Sequence, residues 1–159
     1  MRCMSVERFT LDTNILIYSI DSQAGVRQGM AQQVIDLALR CDCWLTLQVV
    51  SEFYAAATRK GRMAVAEAAA QAADWLDLFP CLPSSPTAVR TALAAAASAR
   101  ASYWDALLVA TAAEGGCTAI LTEDLADGGL LGGVRVLNPF GGEGLTMAAM
   151  LFLDPNLHS

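Results

Sequence analysis

The feature that most constrains the fold is an alternation of short apolar segments with longer helical segments along the chain. Strands are predicted at FTL (9–11), WLTL (44–47), LFPCLP (78–83, a strand or an extended link), TAIL (118–121) and VRVLNPF (134–140). Helices are predicted from Ile15 until Gly25 interrupts the pattern, over 28–40, over 49–61 with Gly61 as C-cap, over 63–78, from Ser84 to Arg100, and over 102–116. This order predicts an α/β protein, in which helices cover both faces of a parallel sheet.

A length of 159 residues fits a single domain, with residues 1–140 as its body and a tail over 141–159 of open role. The tail is Gly-rich and then apolar (MAAMLFL), so it could be a packed short helix or a dimer contact. The hydrophobic share of 55% is high, since soluble domains usually contain about 45–50% apolar residues. The excess favours a homodimer that covers spare apolar surface.

Composition excludes several classes of protein. The start, MRCMSVERF, is too short and too charged for a signal peptide, and no uncharged apolar run reaches the ~18–20 residues of a membrane span. We therefore expect a cytoplasmic protein. Five cysteines without a C-x-x-C pair and a single histidine, His158, do not form a zinc motif. Ten basic and sixteen acidic residues argue against a broad nucleic-acid surface, but they allow acid concentrated at a metal site.

Four acidic residues stand where the predicted elements begin or end. Asp12 follows the first strand, Glu52 lies early in the helix after the second strand, Asp105 is in the first turn of helix 102–116, and Asp124 follows TAIL. In an open parallel sheet the carboxyl ends of the strands share one edge, where ligands bind. The sequence therefore predicts that these acids gather at that edge.

Each acid also has an ordinary explanation. Asp12 and Asn14 fit an Asx turn, Glu52 fits a favourable helix dipole, Asp105 fits a capping box, and Asp124 could be a loop acid. Two carboxylates about 4 Å apart, however, repel each other by roughly 1–4 kcal/mol. A group of such acids stays ionised only beside a cation, and ligation by oxygen alone suits Mg²⁺ or Mn²⁺.

Four motifs in order resemble the PIN domain, and most closely the VapC-type ribonuclease toxins of bacterial toxin–antitoxin pairs. They are LDTN (11–14), Ser51-Glu52, Trp104-Asp105-Ala106, and Leu121-Thr122-Glu123-Asp124. The resemblance runs from Phe9 to Phe140. It implies a compact PIN-like α/β/α sandwich with a short-stranded parallel central sheet, a Mg²⁺- or Mn²⁺-dependent endoribonuclease acting on RNA, a homodimer, and an antitoxin partner that blocks the site.

The resemblance also assigns roles to single residues. The catalytic and metal-binding acids carry over to Asp12, Glu52, Asp105 and Asp124, with Asn14 and Thr122 as their polar supports. Asp127 comes one residue later than the further acid of many relatives, so its role as a ligand stays open.

The chemistry that these residues permit is metal-assisted hydrolysis, because no Ser-His or Cys-His pair is available for covalent catalysis. An alternative is a degenerate PIN scaffold that binds RNA or a partner without catalysis. An aspartate-based phosphatase or phosphoacceptor domain is weaker, since its lysine after a late strand is missing and the one lysine is Lys60. DGGLLGG lacks the spacing of a dinucleotide-binding loop.

A basic cluster is the candidate for RNA contact. Arg59 follows Glu52 by seven residues, which in a continuous helix places both on one face about 10 Å apart. Lys60 and Arg62 would extend the same positive patch. The alternative is that these cations only complement a helix C-terminus.

Overall fold

The computed structural model describes residues 7–126 and 128–158. The strands are β1 (Arg8–Leu11), β2 (Leu45–Thr46), β3 (Cys81–Leu82), β4 (Cys117–Leu121), β5 (Leu130–Leu131) and β6 (Val134–Leu137). The helices are α1 (Thr13–Ile20), α2 (Val26–Ala38), α3 (Leu47–Thr58), α4 (Val65–Leu78), α5 (Pro86–Ala97), α6 (Tyr103–Glu114) and α7 (Met147–Leu153), with 3-10 turns at Ser22–Ala24, Arg59–Gly61 and Pro155–His158. No helix within these ranges is long and apolar enough to cross a membrane.

Most of the strand pairs are parallel, as the alternation of strands and helices predicts. One sheet has the order β1-β4-β6-β5, in which β1 pairs parallel with β4 and β4 pairs parallel with β6. A second, two-stranded sheet pairs β2 parallel with β3. A parallel bridge between Phe9 and Cys43, with the Trp44 amide donating to the Phe9 carbonyl at 2.9 Å, joins the two sheets. The α/β class is therefore confirmed, and β1 lies between β2 and β4.

The central strands are buried on both faces. Phe9, Thr10 and Leu11 in β1 are all 0% exposed. The same holds for 119–121 in β4. Because successive side chains of a strand point to opposite faces, complete burial of neighbours requires cover on both sides of the sheet. The carboxyl ends of β1 and β4 thus reach the surface as the edge of a covered sheet.

The Gly-rich loop before β6 contains a strand that the sequence patterns missed. β5 pairs antiparallel with β6, so the sheet is mixed and not wholly parallel. Gly132 and Gly133 connect the two strands, and their φ angles are +54° and +82°. A two-residue loop with both φ angles positive makes a hairpin that glycine permits and most residues oppose. The signal in the sequence was Gly132-Gly133 between two leucines and the strand VRVL.

The end of α3 differs from the prediction. The helix ends at Thr58, and its C-cap is Arg59 in an extended conformation (φ −62°, ψ 131°), not Gly61. Lys60 then takes a positive φ of 54° in the following turn. The prediction of a continuous helix that aligns Arg59 with Glu52 is therefore wrong.

The apolar tail packs against the domain body. Phe152 and Leu153 of α7 are 8% and 2% exposed. The Phe152 ring meets the Phe9 ring edge-on, with 5.1 Å between the centroids. The guanidinium of Arg135 lies 5.5 Å from the Phe152 ring centroid. The segment therefore forms a packed short helix, and its part in a dimer contact stays a prediction.

Candidate active site

Asp12 is the buried acid at the carboxyl end of β1. It is 8% exposed and is the N-cap residue of α1. Its Oδ1 accepts from the Thr13 amide at 2.7 Å, and its Oδ2 accepts from the Thr122 hydroxyl at 2.7 Å. The capping role expected of an ordinary turn acid is present. The second bond, to a residue beyond β4, is not part of a cap and ties Asp12 to a distant segment.

The pKa of Asp12 is raised above its usual value. Burial is the largest cause, and hydrogen bonds from Thr122 and Thr13 oppose it. The charges of Asp124 and Glu52 raise the pKa further. Two of the other predicted acids therefore act electrostatically on Asp12. We call Asp12, Glu52 and Asp124 the acidic edge.

Thr122 connects the two strand ends. It is 0% exposed, and its hydroxyl accepts from the Asn14 amide group at 3.2 Å and from the Asp124 backbone amide at 3.1 Å. The hydroxyl proton is thereby directed to Asp12. Asn14 also donates to Asp124 Oδ2 at 3.0 Å. The structure thus places Asn14 and Thr122 between Asp12 and Asp124, where supporting residues would lie.

Glu52 is held at the acidic edge by two residues that the sequence patterns did not single out. Its Oε2 accepts from the Thr13 hydroxyl at 3.0 Å, and its Oε1 accepts from Gln48 Nε2 at 2.6 Å. Gln48 Nε2 also donates to the Trp104 carbonyl at 3.0 Å. The signals were the position of Gln48 one helical turn before Glu52 and that of Thr13 beside Asp12.

Asp105 lies in the first turn of α6, as expected. Its backbone amide donates to Ser102 Oγ at 3.1 Å, which is half of the capping box. Contacts connect it with the acidic edge through its neighbour Trp104, whose carbonyl binds Gln48. Asp105 also lines a cavity of about 670 Å³ together with Arg100, Val109 and other residues of α5, α6 and 125–132.

The described residues do not form a closed metal site. Among residues 7–126 and 128–158, no three His, Cys, Asp or Glu side chains lie close enough together to hold an ion. Two buried amide oxygens, Asn14 Oδ1 and Gln48 Oε1, have no hydrogen-bond partner in the part of the chain that the structure describes. Both belong to residues that bind the acids. Mg²⁺ in proteins keeps several water ligands and binds only one or two carboxylates directly. Carboxylate oxygens, together with amide oxygens that can still accept hydrogen bonds from bound water, therefore fit a hydrated divalent ion.

Glu123, between Thr122 and Asp124, points to other partners. Its Oε1 accepts from the Tyr18 hydroxyl, and its Oε2 accepts from Arg27 Nε at 3.1 Å. Burial and the bond to Glu123 raise the pKa of Tyr18 to about 12. Glu123 therefore anchors the loop that carries Asp124 to α1 and α2.

The predicted basic cluster lies in the turn that follows helix α3 and not on the helix itself. Arg59, Lys60 and Arg62 are exposed, and Arg62 lines a second cavity of about 390 Å³ with residues of α1 and α4. Their contact with RNA stays a prediction. Asp127 lies outside the described residues.

Known proteins share this fold. Structures that resemble it include DNA-bound VapBC from Salmonella typhimurium (18% identity, TM-score 0.60, 82% of this chain and 97% of that one). A toxin–antitoxin complex from Klebsiella pneumoniae has 21% identity and a TM-score of 0.59, with the same two coverages of 82% and 97%. VapC20 of Mycobacterium tuberculosis, a toxin that cleaves the sarcin–ricin loop, has 18% identity, a TM-score of 0.57, and coverages of 70% and 86%.

A search of curated proteins gives no match to the sequence. The PIN domain family model, in contrast, matches residues 9–126. That span begins in β1, ends just after Asp124, and includes all three residues of the acidic edge. The chain belongs to the PIN domain family.

Proposed function

We propose that the protein is a Mg²⁺- or Mn²⁺-dependent endoribonuclease and the toxin of a toxin–antitoxin pair. The observation that carries the proposal is the acidic edge itself, where the charges of Glu52 and Asp124 raise the pKa of Asp12 beside two amide oxygens that have no partner among the described residues. A carboxyl group whose pKa is raised by neighbouring carboxylates is stabilised in its ionised form by a cation. Membership of the PIN family and the likeness to VapC toxins support RNA as the substrate.

Each residue of the proposed site would have its own role in metal binding or in positioning the acids. Asp12 and Asp124 are the proposed ligands, with Glu52 and Asp105 completing the set directly or through water. A divalent ion bound there would acidify a water and offset charge on the departing oxygen. Thr122 and the Thr13 amide stabilise ionised Asp12 by donating to its two oxygens. Asn14 fixes Asp124, while Gln48 and Thr13 fix Glu52.

A carboxylate is the remaining choice for proton transfer. The single histidine, His158, comes one residue before the end of the sequence. Glu52 is half-buried and holds both oxygens in defined hydrogen bonds, so we propose that it accepts the proton of the attacking water.

The test is cleavage of single-stranded RNA in the presence of Mn²⁺ or Mg²⁺, with EDTA as the blank. Wild-type protein should cleave, and Asp12→Asn and Asp124→Asn should lose at least about a hundredfold in rate. Asp74→Asn, an exposed acid on α4, is the matched control and should cleave normally. Metal-independent cleavage, or full activity in Asp12→Asn, would contradict the proposed site.

RNA that binds without being cleaved would favour the degenerate scaffold. A phosphatase fits less well, because Lys60 lies in the turn after α3 and not after a late strand. The antitoxin partner is proposed because the similar structures from Salmonella typhimurium and Klebsiella pneumoniae are a VapBC complex and a toxin–antitoxin complex. Co-expression with the neighbouring reading frame should yield a stable complex that no longer cleaves RNA.

A further inference from the structure

Trp104 exposes a large aromatic surface at the start of α6. It is 59% exposed, whereas Trp75 of α4 is 5% exposed. Tryptophan is usually well buried, and an exposed indole offers a flat face with strong attraction for other rings. An indole left in water next to Asp105, one of the proposed site residues, favours a ligand with a flat face of its own.

The backbone under this indole is fixed to the acidic edge. The Trp104 carbonyl accepts from Gln48 Nε2 at 3.0 Å, and the same nitrogen donates to Glu52 at 2.6 Å. Tyr103 meets the indole edge-on, with 4.9 Å between centroids and 74° between the ring planes. Trp104 is therefore one hydrogen-bonded side chain away from Glu52 and next in sequence to Asp105.

The negative net charge of the chain favours a source of RNA affinity that does not depend on charge. The net charge is −6, and the site contains acids. Acidic side chains therefore outnumber the cationic ones, whose attraction for phosphates is the usual source of affinity for nucleic acids. Stacking of a base on an aromatic ring does not depend on charge and can strengthen the binding of single-stranded nucleic acid in such a chain.

We propose that Trp104 is a stacking platform for an unpaired nucleobase beside the phosphodiester bond to be cleaved. This inference rests on the proposed ribonuclease function and adds to it a residue that would hold a base of the RNA. A base in a duplex is covered by its neighbours, so it cannot stack on the indole. Because every base has a π-face, the platform selects unpaired structure and not sequence.

The direct test follows the indole signals by NMR in EDTA, so that the RNA stays intact. The chain has three tryptophans, and the Nε1–H signals of Trp44 and Trp75 serve as internal controls. Trp44 is covered by Arg8, whose guanidinium lies 4.4 Å from its ring centroid, and Trp75 is buried. Adding a single-stranded oligouridine of roughly ten nucleotides should shift the Trp104 signal, identified by its loss in Trp104→Phe.

The affinity of the same RNA gives the matched comparison. Trp104→Ala should weaken binding about fivefold or more, while Trp104→Phe should retain most of the affinity. The slope of log K against log salt should not change, since no phosphate contact is removed. Leu93→Ala, on α5 and 55% exposed, is the control for losing an exposed apolar side chain and should bind normally.

Two outcomes would overturn the inference. One is unchanged RNA affinity in Trp104→Ala. The other is dissociation of a dimer in this variant with unaltered affinity per protomer, which would make Trp104 a subunit contact. Cleavage by wild-type protein in Mn²⁺ separates the proposals. Cleavage that does not depend on Trp104 rejects the platform alone, whereas binding through Trp104 without cleavage rejects the ribonuclease and leaves the platform.

Discussion

Divalent metal should stabilise this protein against unfolding through Asp12. An ion that binds only the native state adds RT ln(1 + [L]/Kd), which is about 2.7 kcal/mol at a hundred times Kd. For a domain of this size, 1 kcal/mol moves the melting temperature by about 2–4 °C. We therefore expect saturating Mn²⁺ to raise the melting temperature of wild-type protein by about 5–10 °C relative to EDTA.

Asp12→Asn should abolish most of this shift. The variant loses one of the three charges of the acidic edge, and its amide nitrogen faces the Thr122 hydroxyl, which already accepts from Asn14 and Asp124. Loss of this charge-assisted bond costs about 1.5–3 kcal/mol, while relief of burying the charge offsets part of that cost. In EDTA the melting temperature should therefore change by less than about 8 °C, and Mn²⁺ should add less than about 2 °C.

Differential scanning calorimetry in EDTA and in MnCl₂ measures both quantities. Asp74→Asn removes an exposed acid of α4 and should retain the full Mn²⁺ shift. An equal shift in Asp12→Asn and wild-type protein would refute the reasoning. So would an equal loss in Asp74→Asn, because the metal would then act on the overall charge and not at the acidic edge.

Other perturbations examine separate parts of the structure. Because the pKa of Asp12 is raised on folding, its contribution to stability is present below the usual pKa of an aspartate and is lost as pH rises through the raised pKa. In EDTA, wild-type protein should therefore lose stability relative to Asp12→Asn as pH rises above that usual value, measured by urea unfolding. Phe152→Ala should cost about 3–5 kcal/mol in the same assay, since it removes the ring packed on Phe9, and a smaller loss would make the tail dispensable. If Arg59 contacts phosphate, Arg59→Ala should weaken RNA binding and flatten the slope of log K against log salt by about one. An unaltered slope would mean that Arg59 only complements the C-terminus of a helix. Sedimentation at micromolar concentration should give a dimer, and a monomer of 16.8 kDa would contradict the predicted homodimer.

The sequence predicts the elements that build the site because their determinants are local. Ser102 caps α6 through the Asp105 amide at 3.1 Å, and Ser85 caps α5 through the Ala88 amide at 3.0 Å with Pro86 following it. Serine at the N-cap and proline in the first turn favour a helix start without help from the rest of the fold. The same local rule puts Asp12 before α1, and parallel topology then brings the ends of β1 and β4 together.

Elements that depend on contacts between distant parts of the chain could not be predicted from local sequence signals. The two residues of β5 are too few to show a periodicity, and they pair only because the Gly132-Gly133 turn returns the chain onto β6. The end of α3 at Thr58 is a similar case. Alanine, threonine and arginine continue a helix well enough by propensity, so the turn that follows is set by the tertiary structure.

The direction of the hydrogen bonds around Thr122 is also invisible in the sequence, and it bears on how the site works. Two donors, from Asn14 and the Asp124 amide, occupy the acceptor side of the hydroxyl, so its single proton must go to Asp12. Asp12 Oδ2 must therefore be an acceptor. This arrangement stabilises the ionised carboxylate that a cation requires, although burial favours the neutral acid. Serine at position 122 could preserve the proton's direction, whereas valine of similar shape would leave the donors of Asn14 and Asp124 without their acceptor. The polarity of this one hydroxyl connects the folding of two strand ends to the charge state on which the proposed chemistry depends.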